Sequence, residues 1–139
     1  MDHQAFLRQL ETNALPASDF NHRAPLYAAW AYRPQYPAPE AAARCARALS
    51  RFAMVNGAAM KYHHTLTMAI LVILYSRMAS QPRLLEDWEA FASHCPDVLA
   101  DARAVILQHY SSERLDDESA RKGFVEPDRE PLPMSCLLH

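Results

Sequence analysis

The sequence predicts an all-α protein, and three features of its 139 residues carry that reading. Glycine occurs only twice, alanine is abundant and β-branched residues are few, a balance that favours helix over sheet. Apolar residues recur at helical spacing in several segments, and prolines and cap residues mark where those segments start and stop. The architecture expected is a compact bundle-like domain of about four main helices plus short helices over residues 1–125, followed by an extended, proline-rich C-terminal tail over 126–139.

Taken in order, Phe6, Leu7 and Leu10 define a short amphipathic first helix that ends before Leu15-Pro16 and is expected to lie as a lid. Ser18 or Asp19 caps a second helix through Phe20, Leu26, Ala29 and Trp30, stopped by Pro34. Pro25 suits only a first helical turn, so Asn21-His22-Arg23 forms that turn or leads into it. Pro39 and Glu40 open a third helix, with Cys45, Ala48, Leu49 and Phe52 on one face and Arg44, Arg47 and Arg51 opposite. Asn56-Gly57 ends it through a left-handed cap.

The fourth helix is expected over Lys61 to Met78, with an almost wholly apolar body from Leu66 to Leu74. Pro82 opens a short helix through Leu84, Leu85, Trp88 and Phe91, and Cys95-Pro96-Asp97 starts another through Val98, Leu99, Ala102, Val105 and Ile106. Asp116 caps a last turn stopped by Gly123.

Composition excludes several classes. A net charge of -2 without a basic stripe argues against a nucleic-acid binder. The apolar run of the fourth helix is far shorter than the roughly 20 residues that span a bilayer, and Met1-Asp2-His3-Gln4 lacks the flank of a secretory signal, so the expectation is a cytoplasmic protein with no membrane partner. Cys45, Cys95 and Cys136 have neither disulfide nor zinc spacing and read as reduced thiols. Cys45 is core filler on its apolar stripe; Cys95 stands beside His94 at a helix start, where a thiol pKa can fall. Cys136-Leu137-Leu138-His139 matches a prenylation pattern in form only, because it ends in His and follows an acidic stretch.

The polar head of the fourth helix, Lys61-Tyr62-His63-His64-Thr65, is the candidate functional end. If successive helices alternate direction, the fourth begins where the second does, which would bring His22 to His63. Adjacent His63 and His64 point about 100 degrees apart, so one of them shares a pocket with His22. Imidazole is the commonest side-chain metal ligand, and His22 with His63 would suit a divalent metal such as zinc or iron. Without a metal, His22 and His63 would be catalytic acid/base groups acting on an anionic substrate. Asn21, Arg23, Lys61, Tyr62 and His64 would contact a carboxylate or phosphate at two helix N-termini. Equally, His63 reads as a satisfied histidine at a helix start and Arg23 and Lys61 as rim cations.

Three separated motifs resemble a family of small, largely uncharacterised bacterial proteins: Asp19-Phe20-Asn21-His22-Arg23, Lys61-Tyr62-His63-x-Thr65, and Tyr110-Ser111 with Phe124-Val125-Glu126-Pro127-Asp128 to Pro131-Leu132-Pro133. The resemblance implies a bacterial cytoplasmic protein whose His22 and His63 motifs act together, and it implies no particular activity. The chain departs from the family pattern at Pro25, where a second histidine would fall, and at His64, where a glutamate would.

Two functions follow as expectations. The first is a His-centred polar pocket that binds a small or anionic ligand, with or without a metal. The second is a non-catalytic interaction module or homodimer, its partner surface formed by Trp30, Leu84, Leu85, Trp88 and Phe91.

Overall fold

The computed structural model describes residues 2–133, and among these it holds nine α-helices, short 3-10 turns and no strand. The chain divides into two compact units, one ending at Tyr62 and the other beginning at His63. Cys136-Leu137-Leu138-His139 lies outside the described residues.

The first unit is built from α1 (His3–Glu11), α2 (Ala24–Tyr32) and α3 (Ala38–Val55). Asp2 caps α1, its carboxylate accepting the Ala5 N–H at 2.7 Å. Phe6, Leu7 and Leu10 are buried, and α1 packs against both α2 and α3. It is a member of the core, not the lid the sequence predicts. After α1 the chain turns at Asn13, whose φ of 62° is a left-handed conformation that asparagine tolerates.

Helix α2 starts later than expected. Ala17–Asp19 forms a separate 3-10 turn, and Asn21 then sets the helix start: its Oδ1 accepts the Arg23 and Ala24 N–H groups at 2.9 and 3.1 Å. Pro25 thereby falls in the first turn, where its missing N–H costs nothing. Seven of the nine residues of α2 are buried, four of them alanines, so its neighbours approach closely from more than one side. Helix α3 carries Pro39 in its first turn, buries Ala41, Ala42, Cys45, Ala48 and Phe52, and ends before Gly57 at φ 68°. The ring of Phe20 lies 4.6 Å from that of Phe52, which ties the segment ahead of α2 to the C-terminal end of α3.

The second unit is organised on α4 (His64–Ser80), whose residues Ala69 to Tyr75 are buried without interruption. Around it lie a 3-10 turn over Pro82–Leu85, α5 (Trp88–His94), α6 (Pro96–Ala100), α7 (Ala102–Ile106), α8 (Ser112–Asp116) and α9 (Glu118–Lys122), of which the 3-10 turn, α7 and α9 pack directly on α4. The single helix expected from Cys95 through Ile106 is broken at Asp101, where φ is -160° and ψ 88°. The Asp101 carboxylate accepts the Ala104 N–H at 3.1 Å, so this residue caps a new helix in place of continuing the old one. Asp117, and not Asp116, caps α9.

Arg77 of α4 grips Asp97 of α6 through two hydrogen bonds of 2.8 Å, and that guanidinium holds the Asp97 carboxyl down at about 2. Of the five apolar residues expected to meet a partner, three are buried and two, Leu85 and Trp88, are half-buried. Trp30, Leu84 and Phe91 are buried, and the half-buried Trp88 stacks on Phe91 at 5.4 Å. Among the described residues no helix is long and apolar enough to cross a membrane.

Leu71 is wholly buried at the centre of α4, so Leu71→Ala should cost about 2–5 kcal/mol of unfolding free energy in a urea titration. A loss under about 1 kcal/mol would contradict the placement of α4 at the centre of its unit.

Candidate functional site

At the head of α4 the motif residues serve architecture. Thr65, the second residue of the helix, is 0% exposed, and its hydroxyl donates to the Gly123 carbonyl at 2.8 Å while accepting the Val125 N–H at 3.1 Å. One side chain thus satisfies a donor and an acceptor of the segment that follows α9. No buried side-chain nitrogen or oxygen among the described residues lacks a partner.

His63 is the N-cap of α4. Its Nδ1 accepts the Leu66 N–H at 3.1 Å, which forces the proton onto Nε2, and Nε2–H donates to the Leu115 carbonyl at 2.7 Å. With both ring nitrogens engaged, His63 presents neither a lone pair to a metal nor a free proton to a substrate. Expected as a ligand or acid/base group, His63 is placed as a cap which also ties α4 to α8. Among the described residues no three His, Cys, Asp or Glu side chains are grouped to hold a metal ion. His64 is half-buried, and burial, followed by the neighbouring His63, lowers its imidazole pKa and favours the neutral ring.

Beyond Val125 the tail remains docked. The Tyr110 hydroxyl, its pKa raised above the usual phenol range chiefly by burial, donates to the Val125 carbonyl at 2.6 Å. Asp128 accepts both the Ser111 hydroxyl at 2.6 Å and the Ser111 N–H at 2.7 Å, and these bonds lower its pKa. Arg114 reaches the Glu126 carbonyl at 2.9 Å, the Arg129 N–H donates to the His109 carbonyl at 2.9 Å, and His109 Nδ1 is shared between the Glu130 and Pro131 carbonyls at 3.1 Å. Leu132 is buried. His109 is a site-building residue that the sequence does not announce. It belongs to no recognisable spacing pattern, and the docked tail gives its ring nitrogen its partners.

The remaining expected site residues lie in the first unit. Asn21 spends its side-chain oxygen on the start of α2, while His22 and Arg23 are exposed in the same turn. Lys61 is exposed and Tyr62 half-buried at the end of the 3-10 turn Ala59–Lys61, which returns onto the end of α3 through the Ala58 N–H to Ala53 carbonyl bond of 2.7 Å. Since Phe20 packs on Phe52, the His22–Arg23 turn and the Lys61 turn share that end of α3. His63 belongs to the other unit.

Among the described residues neither thiol is activated. Cys45 is fully buried and burial pushes its pKa up to about 12; Cys95 is buried as well and burial raises it, against the opposing effect of Arg77. Compared with protein-family models, with curated proteins and with solved structures, the chain finds no match.

Thr65→Val keeps the side-chain shape and strands the Gly123 carbonyl and the Val125 N–H. It should cost about 1–3 kcal/mol in denaturant unfolding, and a change within about 0.5 kcal/mol would show that the hydroxyl does not hold the tail. Acid should loosen the tail as well. The folded-state pKa of Asp128 lies below its unfolded value, so its contribution is complete above the ordinary carboxylate range and is lost as pH falls through the lowered value. The Ser111 amide resonance should report this transition in the wild type, and Asp128→Asn should abolish it.

Proposed function

We propose that the protein is an interaction module whose partner surface is the exposed end of the first unit, where α3 gives way to the Ala59–Lys61 turn. The observation that carries this reading is the exposure of Met54, Val55 and Met60 at 64%, 57% and 71%. These are the large hydrophobic side chains left most open among the described residues, and the Ala58 N–H to Ala53 carbonyl bond turns the backbone that carries Met60 back onto the end of α3 that carries the other two. Apolar side chains scattered singly need no explanation, but three within seven residues do. Methionine supports such a surface, since its unbranched, polarisable side chain adapts to varied shapes.

The rim supports a choice of partner chemistry. His22, Arg23 and Lys61 stand exposed at this same end. Basic groups around an apolar centre fit an acidic segment that carries apolar anchors. A second copy of the chain fits less well, because a self-complementary surface would set like charges against one another. On this reading the motifs shared with the bacterial family are architectural: Asn21 and His63 shape helix starts, and Thr65 holds the tail. The reading places the protein in the cytoplasm, which suits its buried, unpaired Cys45 and Cys95.

A small anionic ligand at His22 is the second reading, favoured by an exposed ring to which no described residue gives a hydrogen bond. A photoreactive amino acid at position 60 separates the two in cells of the producing organism. The interaction reading expects one discrete protein adduct that disappears with Arg23→Glu and Lys61→Glu. Absence of any adduct above background contradicts it, and an adduct of twice the chain's own mass shows the homodimer instead.

A further inference from the structure

A depression of about 290 Å³ lies on the first unit between α1 and α3, lined by Glu11, Arg44, Arg47, Ala48 and Arg51. The arginines sit at i, i+3 and i+7 of α3, which puts them on one stripe of the helix, and the short Ala48 between them leaves the space open. Here a chain of net charge -2 gathers three guanidinium groups around a hollow.

Each charge in the depression has a definable state. Arg44 is held on two sides: its Nε meets Glu40 at 2.9 Å, and its guanidinium carbon lies 4.2 Å above the ring of Tyr36. Arg47 and Arg51 are exposed, and neither forms an ion pair with a carboxylate among the described residues. The only carboxylate in the lining, Glu11, accepts the hydroxyl of the buried Tyr32 at 2.6 Å. Burial first, then that bond, raises the Tyr32 pKa above the usual phenol range, so the phenol remains a donor and holds Glu11 on its own side of the depression.

A surface arginine normally has water on every side, and a hollow between several of them changes that. A tetrahedral oxyanion seated there accepts from two planar guanidinium forks at once, the geometry in which arginine exceeds lysine. Glu11 also lines a second depression, of about 200 Å³, whose walls include Arg8, Gln35, Tyr32 and Tyr36, the ring beneath Arg44. A ligand whose charged group sits among the arginines therefore has a neighbouring polar and aromatic space for an organic part.

From this arrangement we propose that the first unit carries a binding site for a small phosphate monoester, its phosphate held by Arg47 and Arg51 with Arg44 as the fixed third cation. Arg47 and Arg51 act as the ligand's donors. Glu11 opposes the bound charge and limits affinity.

Calorimetric titration of the full chain at low salt with inorganic phosphate, glycerol phosphate and succinate tests this. The proposal expects saturable one-to-one binding, glycerol phosphate at least as tight as inorganic phosphate, and succinate weaker than both. Arg47→Gln and Arg51→Gln should each weaken binding about tenfold while the thermal midpoint stays put, since both side chains are exposed. Glu11→Gln should tighten binding, a gain that no merely structural role for Glu11 would produce. Binding that fails to saturate, succinate as tight as the phosphates, or glutamine variants with wild-type affinity overturns the proposal.

Discussion

A hydroxyl group sealed from water constrains the second unit more than any other polar contact. Thr65 is placed by the first turn of α4, and burial obliges its oxygen to find partners, which the chain supplies sixty residues later as the Gly123 carbonyl and the Val125 N–H. Both backbone groups belong to a segment without regular structure, so neither has a helical partner to return to. Loss of the hydroxyl therefore leaves two stranded groups in place of one. The Tyr110, Ser111 and His109 contacts extend the same docking as far as Pro131.

His63 takes its meaning from this setting. A histidine at a helix start is open to metal or proton chemistry only while a ring nitrogen remains unspent. Here the Leu66 N–H takes one and the Leu115 carbonyl the other. The motif that looks most chemical in the sequence thus becomes a bracket joining α4, α8 and the segment after α9. Side chains open to a ligand are found in the first unit: His22, Arg23 and Lys61 beside an apolar group, and Arg47 and Arg51 over a hollow.

How far the sequence can be read depends on the range of the interactions. Helices α3 and α4 are legible because their signals are local: Pro39 in a first turn, Gly57 at a left-handed exit, and an unbroken apolar body. The start of α2 is harder, since Ser18 and Asp19 are good caps by composition, yet the Asn21 side chain and Pro25 together decide the matter five residues later. Asp101 misleads in the same way, because an aspartate inside an apolar periodicity passes for a solvated position until its carboxylate caps a new helix. The site is less legible than the fold. That Phe124 to Asp128 could strap across other elements follows from its composition, but which groups receive it depends on contacts some sixty residues apart, and those carry no periodic signal. Exposure is not local either: Trp30 and Phe91 look like surface anchors and are buried, whereas the equally apolar Met54 and Met60 are open.

The segment after α9 is held in place by the head of α4. Amide hydrogen exchange at Val125 measures this most directly, because its N–H has the buried Thr65 hydroxyl as partner. The account predicts that Val125 exchanges orders of magnitude more slowly than an unstructured amide of the same sequence, and that the protection falls in Thr65→Val. Exchange of Val125 at the free-chain rate in the wild-type protein would contradict it.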